Sequence, residues 1–231
     1  MRLMSKRIGI LGGISAESTL RYYDRIIKGY FERRRDYYYP EVVIFSLNFQ
    51  RFTDFEESGD RVGYVSEIMS GVAALERAGA EFIVMAANSP HAVFDEVAAS
   101  AKVPLLSIVE VTAGHAAKMG LRRLLLLGIK FTMQSSFYQD GCRGYGIEVV
   151  VPAGEDQERI NRIIFEELAR GLVRDESREQ LVGIIRRHPA DGVILGCTEL
   201  PLILRQEDSP VQLLDTVELH AGAALDFALT A

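Results

Sequence analysis

Cysteine is scarce in this chain of 231 residues: there are two, Cys142 and Cys197, in unlike sequence contexts. Two such residues cannot build a disulfide framework, which fits a reducing compartment, and a cytoplasmic location is expected. Histidine is nearly as rare, at four residues, and no Cys-x-x-Cys or His-x-x-x-His spacing points to a metal site. Long apolar runs are missing as well. The longest, at residues 124–127 and 192–195, have the length of strands, far below the roughly 20 residues a membrane span requires. The basic residues near the start precede an apolar stretch too short for the core of a signal peptide, and that stretch reads as a first strand. An excess of basic charge is also absent. A formal net charge of −6 argues against a general nucleic-acid surface, and the local run Glu32-Arg33-Arg34-Arg35-Asp36 reads as a solvated helix end. No low-complexity tract or Gly/Ser- or Pro-rich linker interrupts the chain.

What remains is a chain with 48% hydrophobic residues, enough to bury sheets, in which short β-branched runs alternate with longer amphipathic stretches. That alternation is the pattern of a doubly wound parallel α/β sheet. Strands are expected at residues 7–11, 41–47, 82–85, 105–108, 123–127, 148–151 and 192–195. Helices are expected at 15–31, 60–78, 89–100, 111–119, 157–170, 177–187 and 216–229. The chain also repeats itself weakly. Gly12 and Gly128 each end an apolar strand and lie 116 residues apart, while Ala87 and Cys197 follow similar strands 110 residues apart. Two half-domains of like topology account for this: residues 1–103 with a returning segment at 211–231, and residues 104–210. In open parallel sheets ligands bind beyond the carboxyl ends of the strands, so the turns at Gly12, Ala87, Gly128 and Cys197 are expected to face one site between two pseudo-symmetric halves.

Cys197 is the first candidate for chemistry. A position between a strand and a helix N-terminus would favour the thiolate and lower a pKa that is about 8.5 when unperturbed; a cysteine there can also be a small buried hydrophobe. Cys142, expected in a polar loop with no base nearby in sequence, reads as incidental. In Asn88-Ser89-Pro90-His91, Ser89 is expected as N-cap and Pro90 as the first helical residue, leaving N–H groups for an anion. His91, in the first turn, could reach the site as an auxiliary acid or base, or could simply pack. Gly12-Gly13-Ile14-Ser15 could cradle a carboxylate by backbone N–H but lacks the P-loop ending and the dinucleotide fingerprint. Lys130 and Thr132 stand at the matching place in the second half.

With these turns together, the sequence resembles the aspartate/glutamate racemase family, whose members do not use pyridoxal phosphate. The likeness rests on Ile10-Leu11-Gly12-Gly13 with Glu17-Ser18-Thr19, Asn88-Ser89-Pro90-His91, residues 163–168, Gly196-Cys197-Thr198-Glu199-Leu200, and Asp215-Thr216 with His220. It implies two similar α/β domains with the active site between them, a homodimer, no cofactor, and a small acidic amino acid or dicarboxylate as ligand. Racemases of this kind take and return the α-proton with two bases, usually a cysteine in each half. The resemblance assigns Cys197 as acid/base and gives the carboxylate to Asn88, Ser89, Thr132 and Thr198, with Glu199 beside them. Backbone at Ile14 and the Arg51 guanidinium are added, the latter as a clamp for a second carboxylate.

The sequence departs from the pattern at Ala87, which stands where the first-half cysteine is expected. A methyl group can neither take nor give a proton. Either Ser89, His91 or a water replaces that base, or two-base racemisation is lost. Two other functions therefore stand beside the racemase: a one-cysteine carbanion enzyme such as a decarboxylase, and a non-catalytic protein that binds an acidic metabolite.

Overall fold

The computed structural model describes residues 5–230. The chain divides into two compact units, one running to Ile108 and resuming at Val217, the other spanning Val109–Thr216.

In the first unit the strands are β1 (Ile8–Gly12), β2 (Val42–Ser46), β3 (Phe82–Met85) and β4 (Leu105–Leu106), and the helices are α1 (Ala16–Arg34), α2 (Phe49–Ser58), α3 (Arg61–Arg77) and α4 (Phe94–Ser100). All pairings are parallel, in the order β2-β1-β3-β4. Parallel strands need crossovers, so helices cover both faces and the central strands become apolar throughout. Side chains alternate in direction along a strand. Ile8, Ile10, Phe82 and Val84 pack with Tyr22 and Ile26 of α1 and with Val217, Ala221 and Leu225, while Leu11, Ile83 and Met85 pack with Phe52, Ile68, Val72 and Leu75.

The second unit contains α5 (Ile108–Lys118, whose first residue belongs to the first unit), β5 (Arg123–Leu127), α6 (Lys130–Gln134), α7 (Phe137–Arg143), β6 (Glu148–Val150), α8 (Gly154–Arg162), α9 (Asp175–Arg187), β7 (Gly192–Leu195) and β8 (Gln212–Asp215). Its parallel order is β6-β5-β7-β8, the same topology as the first sheet. Helix α10 (Thr216–Leu229) then carries the chain back into the first unit. The repeat in the sequence is thus a repeat of topology, and the chain is a two-domain α/β protein with two four-stranded parallel sheets.

Some expectations need correction. Residues 212–215, expected in the first half, form the short strand β8 and pair with β7 in the second sheet, so the divisions fall at 108 and 216, not at 103 and 210. The helix expected over 157–170 breaks into α8, a π turn at Ile163–Glu167 and a 3₁₀ turn at Leu168–Arg170. Helix α2 has no counterpart among the helices expected from the sequence. Cys142 lies buried in α7, where burial pushes its thiol up to about 11.

The turn after β1 depends on glycine. Gly13 has φ +85°, and a Cβ there would lie 2.2 Å from the Leu47 carbonyl oxygen and 2.4 Å from its nitrogen. Because both obstacles are backbone, no rotamer change can relieve them. Gly13→Ala should therefore cost about 3 kcal/mol, combining left-handed strain with a backbone shift. A urea titration with unchanged m-value would measure it; a loss below about 1 kcal/mol would show that the turn can relax.

Candidate active site

In the second unit, β7 delivers Gly196 and Cys197 at its carboxyl end. Gly196 N–H donates to the Leu127 carbonyl at 2.7 Å, and a Cβ at Gly196 would meet Leu126 Cδ1 at 2.8 Å, so the strand ends β5 and β7 are in close contact. Thr216 Oγ1 donates to the Leu195 carbonyl at 2.9 Å and fixes the other side of the same strand end.

Cys197 is buried, and its Sγ–H donates to Glu199 Oε2 at 2.9 Å, the same oxygen that accepts from Thr198 Oγ1 at 2.8 Å. No α-helix begins here; Leu200–Leu202 forms one 3₁₀ turn. The lowered thiol pKa expected from a helix N-terminus is consequently reversed. Burial pushes the Cys197 thiol well above its ordinary value, and the Glu199 carboxylate adds to the shift by its charge and its hydrogen bond. Cys197 rests as a protonated thiol held by a carboxylate.

Thr132, in α6, lies beside this group, its methyl 3.5 Å from the point where a Gly196 Cβ would be. Its hydroxyl is buried and has no hydrogen-bond partner among the described residues. Buried polar atoms are nearly always paired, and an orphan at a strand end marks a place for a ligand atom or water. Lys130 is on the surface, where its ammonium pairs with Glu158.

In the first unit, Ser15 caps α1 by accepting from Ser18 N–H at 3.2 Å, and Ser18 Oγ donates to the Ala86 carbonyl. Ile14 and Ala87 share an apolar cluster with Phe52 and Tyr64. The turn after β3 is a 3₁₀ helix, Ser89–Val93, in which Asn88 precedes the first helical residue without a side-chain cap bond. Ser89 is therefore not the cap. Tyr64 Oη donates to Glu56 Oε1 at 3.1 Å, and burial raises the Glu56 carboxyl above its ordinary value, with the nearby Ser89 and Tyr64 hydroxyls acting the other way. Arg51, largely exposed on the first turn of α2, pairs with Glu67 at 2.9 Å.

His91 is fully enclosed, with Nδ1 3.1 Å from the Ala87 carbonyl and Nε2 3.1 Å from the Ile108 N–H. One nitrogen donates and the other accepts, which is the pattern of a neutral imidazole. In this arrangement neither nitrogen is free to exchange a proton with a ligand. Burial lowers its pKa to about 4. His220 completes the network, with Nδ1 2.7 Å from Tyr22 Oη and Nε2 3.1 Å from the Leu106 carbonyl.

Glu56 and Tyr64 were not singled out from sequence. One signal was available: with Phe52 as the buried anchor of α2, Glu56 falls four residues on, on the same side of the helix.

Two four-stranded parallel sheets of the same strand order, each with its turns at the carboxyl ends of the strands, place the chain among the two-domain α/β proteins. A family model described as Asp/Glu/Hydantoin racemase matches residues 11–224, and the chain belongs to that family, whose enzymes are isomerases. It is 29% identical over 223 residues to the broad specificity amino-acid racemase RacX of Bacillus subtilis (strain 168), covering 90% of this chain and 92% of that protein. The solved structure of an aspartate racemase homologue from Pyrococcus horikoshii is 43% identical, with a TM-score of 0.85 over 97% of this chain and 100% of that one. Picrophilus torridus aspartate racemase is 25% identical, with a TM-score of 0.75 over 96% of this chain and 94% of that one.

Proposed function

We propose that this chain is a cofactor-independent amino-acid racemase in which Cys197 exchanges a proton with the substrate α-carbon. The observation that carries the reading is the bond from Cys197 Sγ–H to Glu199 Oε2 at 2.9 Å. Before the thiol can act as a base, its proton passes to Glu199, and the thiolate takes the α-proton while the electron pair stays on carbon. In the other direction the Sγ–H protonates the carbanion directly. A thiol with a raised pKa is the stronger base once ionised, which suits so weak a carbon acid.

The substrate is an amino acid with a carboxylate to anchor, and aspartate and glutamate are the first candidates. Thr132, Thr198 and Asn88 bind the α-carboxylate by hydroxyl and amide groups, Ile14 adds its backbone N–H, and Arg51 takes a side-chain carboxylate by leaving Glu67. Ala87 contributes only shape. The working form is a homodimer, which sedimentation equilibrium would measure.

Proton NMR in deuterium oxide with both enantiomers of each proteinogenic amino acid, run beside chiral chromatography, tests the activity. Exchange with inversion supports the racemase; carbon dioxide release from a malonate-type acid would support the decarboxylase alternative, which Ala87 favours because such chemistry needs one protic group. Thr132→Val separates binding from folding. Removing an unpaired buried hydroxyl should leave the midpoint of urea unfolding unchanged or slightly higher, while KM rises about tenfold, the value of one hydrogen bond to a charged group. An unchanged KM would take Thr132 out of the carboxylate site.

A further inference from the structure

Helix α6 carries Thr132 on a span of five residues, Lys130–Gln134. So short a helix holds its own shape poorly, because the first turn is unfavourable to form and few bonds follow to offset it. The residue before it, Ile129, has no polar side chain, and no side-chain cap bond forms there. The cap comes from α8 instead. Asn161 Oδ1 accepts from Lys130 N–H at 2.8 Å across 31 positions of sequence. At the other end of α6, Gln134 Nε2 donates to Gln157 Oε1 at 3.3 Å. Gln157 is itself buried and held, its Nε2 donating to the Pro152 carbonyl at 2.9 Å. Gln157 and Asn161 stand four residues apart, on one face of α8, and Lys130 adds an ion pair to Glu158 between them.

We propose that Asn161 and Gln157 are positioning residues that clamp both ends of α6 and so fix the Thr132 hydroxyl for a ligand carboxylate before the ligand arrives, a role that rests on the carboxylate reading of Thr132 given above. Every group involved lies in the second unit.

The Thr132 side chain has little freedom to turn. Its methyl lies 3.3 Å from where a Cβ on Gly128 would be and 3.5 Å from where one on Gly196 would be, so it is seated at the neighbouring ends of β5 and β7. A β-branched side chain has few χ1 rotamers. With the methyl lodged there, the buried hydroxyl, which has no partner among the described residues, keeps one direction for as long as α6 keeps its place. A hydroxyl already held still loses less entropy on meeting a ligand than one that must first be ordered. The Asn161 side chain makes no other hydrogen bond among the described residues, so its whole contribution goes to α6.

Asn161→Ala, Asn161→Asp, Thr132→Val and the double variant Asn161→Ala/Thr132→Val test the clamp, by steady-state kinetics and, where Thr132 is kept, by NMR relaxation of methyl-labelled threonine. In Asn161→Ala the Thr132 methyl should lose order relative to wild type, and KM should rise about fivefold, roughly what one ordinary hydrogen bond contributes, with kcat within about threefold. Asn161→Asp keeps an acceptor for the Lys130 N–H and should restore both. Once the hydroxyl is gone its placement no longer matters, so the double variant should match the KM of Thr132→Val within about twofold. A KM raised by the product of the two single effects would mean that Asn161 acts without Thr132, and would overturn the proposal. So would an unchanged methyl order in Asn161→Ala, which can be read even in a chain that racemises nothing. An unchanged KM in Thr132→Val overturns the carboxylate reading on which the role rests, whatever the methyl shows.

Discussion

Cys197→Ala should lower α-proton exchange from the enantiomer whose α-hydrogen faces the thiol by about a thousandfold or more, in a protein that still folds. The size follows from the role: a positioned acid or base is worth roughly 10²–10⁴ in rate, and a residue that alone handles the proton on its side leaves nothing to take its place. The fold should survive because the substitution removes only one sulfur atom from an apolar cluster that includes Leu195, Leu200 and Ile203, a change worth about 1 kcal/mol. Glu199 loses the thiol donor but keeps the Thr198 hydroxyl at 2.8 Å, so its carboxylate is not stranded. Cys197→Ser is the sharper control, since it retains a donor to Glu199 yet offers a hydroxyl far less acidic than a thiol. Exchange of that enantiomer in either variant at more than about a tenth of the wild-type rate, measured by NMR, would remove Cys197 from the chemistry and return it to the position of a small core residue.

How much of this was legible beforehand depended on how local the information was. Strands β3 and β7 begin and end where their apolar runs do, because both are central and buried throughout. Helix α2 has a single fully buried anchor, Phe52, and at 10 residues it is too short to repeat its pattern over many turns. The short β8 is recognisable only through its pairing with β7. In the candidate site, Gly196-Cys197-Thr198-Glu199 is contiguous and could be picked out directly. The sign of the Cys197 shift could not, because the dipole argument assumed an α-helix where the chain makes one 3₁₀ turn, and because burial and Glu199 act on the thiol the other way. Glu56 is faint in the sequence for a different reason: only its i+4 spacing from Phe52 hints at it, and the Ser89 hydroxyl that influences its carboxyl lies 33 positions away in the chain.

Between pH 6.5 and 5 the protein should lose several kcal/mol of stability, and two histidines should account for most of it. His91 and His220 are enclosed, with ring centroids 5.9 Å apart, and each spends both nitrogens on fixed partners. Burial lowers His91 to about 4 and His220 to about 3, the latter helped by the neighbouring His91 charge, from a common starting value of 6.5. Above pH 6.5 the rings are neutral whether the chain is folded or not, and their contribution is intact. Below it the unfolded chain binds protons that the folded chain refuses, so stability falls with pH until the folded values are reached. Each depressed group costs about 1.4 kcal/mol per pH unit in this window, so by pH 5 the pair removes about 4 kcal/mol, a large part of the 5–15 kcal/mol that holds an ordinary domain together. Glu56 works in the opposite sense: its raised carboxyl takes up a proton more readily in the folded state, so acidification returns some stability, but one group cannot offset two. Urea midpoints at pH 7, 6 and 5 should show the loss. His220→Gln keeps a donor for the Leu106 carbonyl and an acceptor for Tyr22 while removing one titration, so its pH slope should be about half that of wild type even though its stability at pH 7 is lower. Parallel slopes for the two proteins would mean that His220 gains its proton without unfolding the chain, and that the buried network is more open to water than its geometry implies.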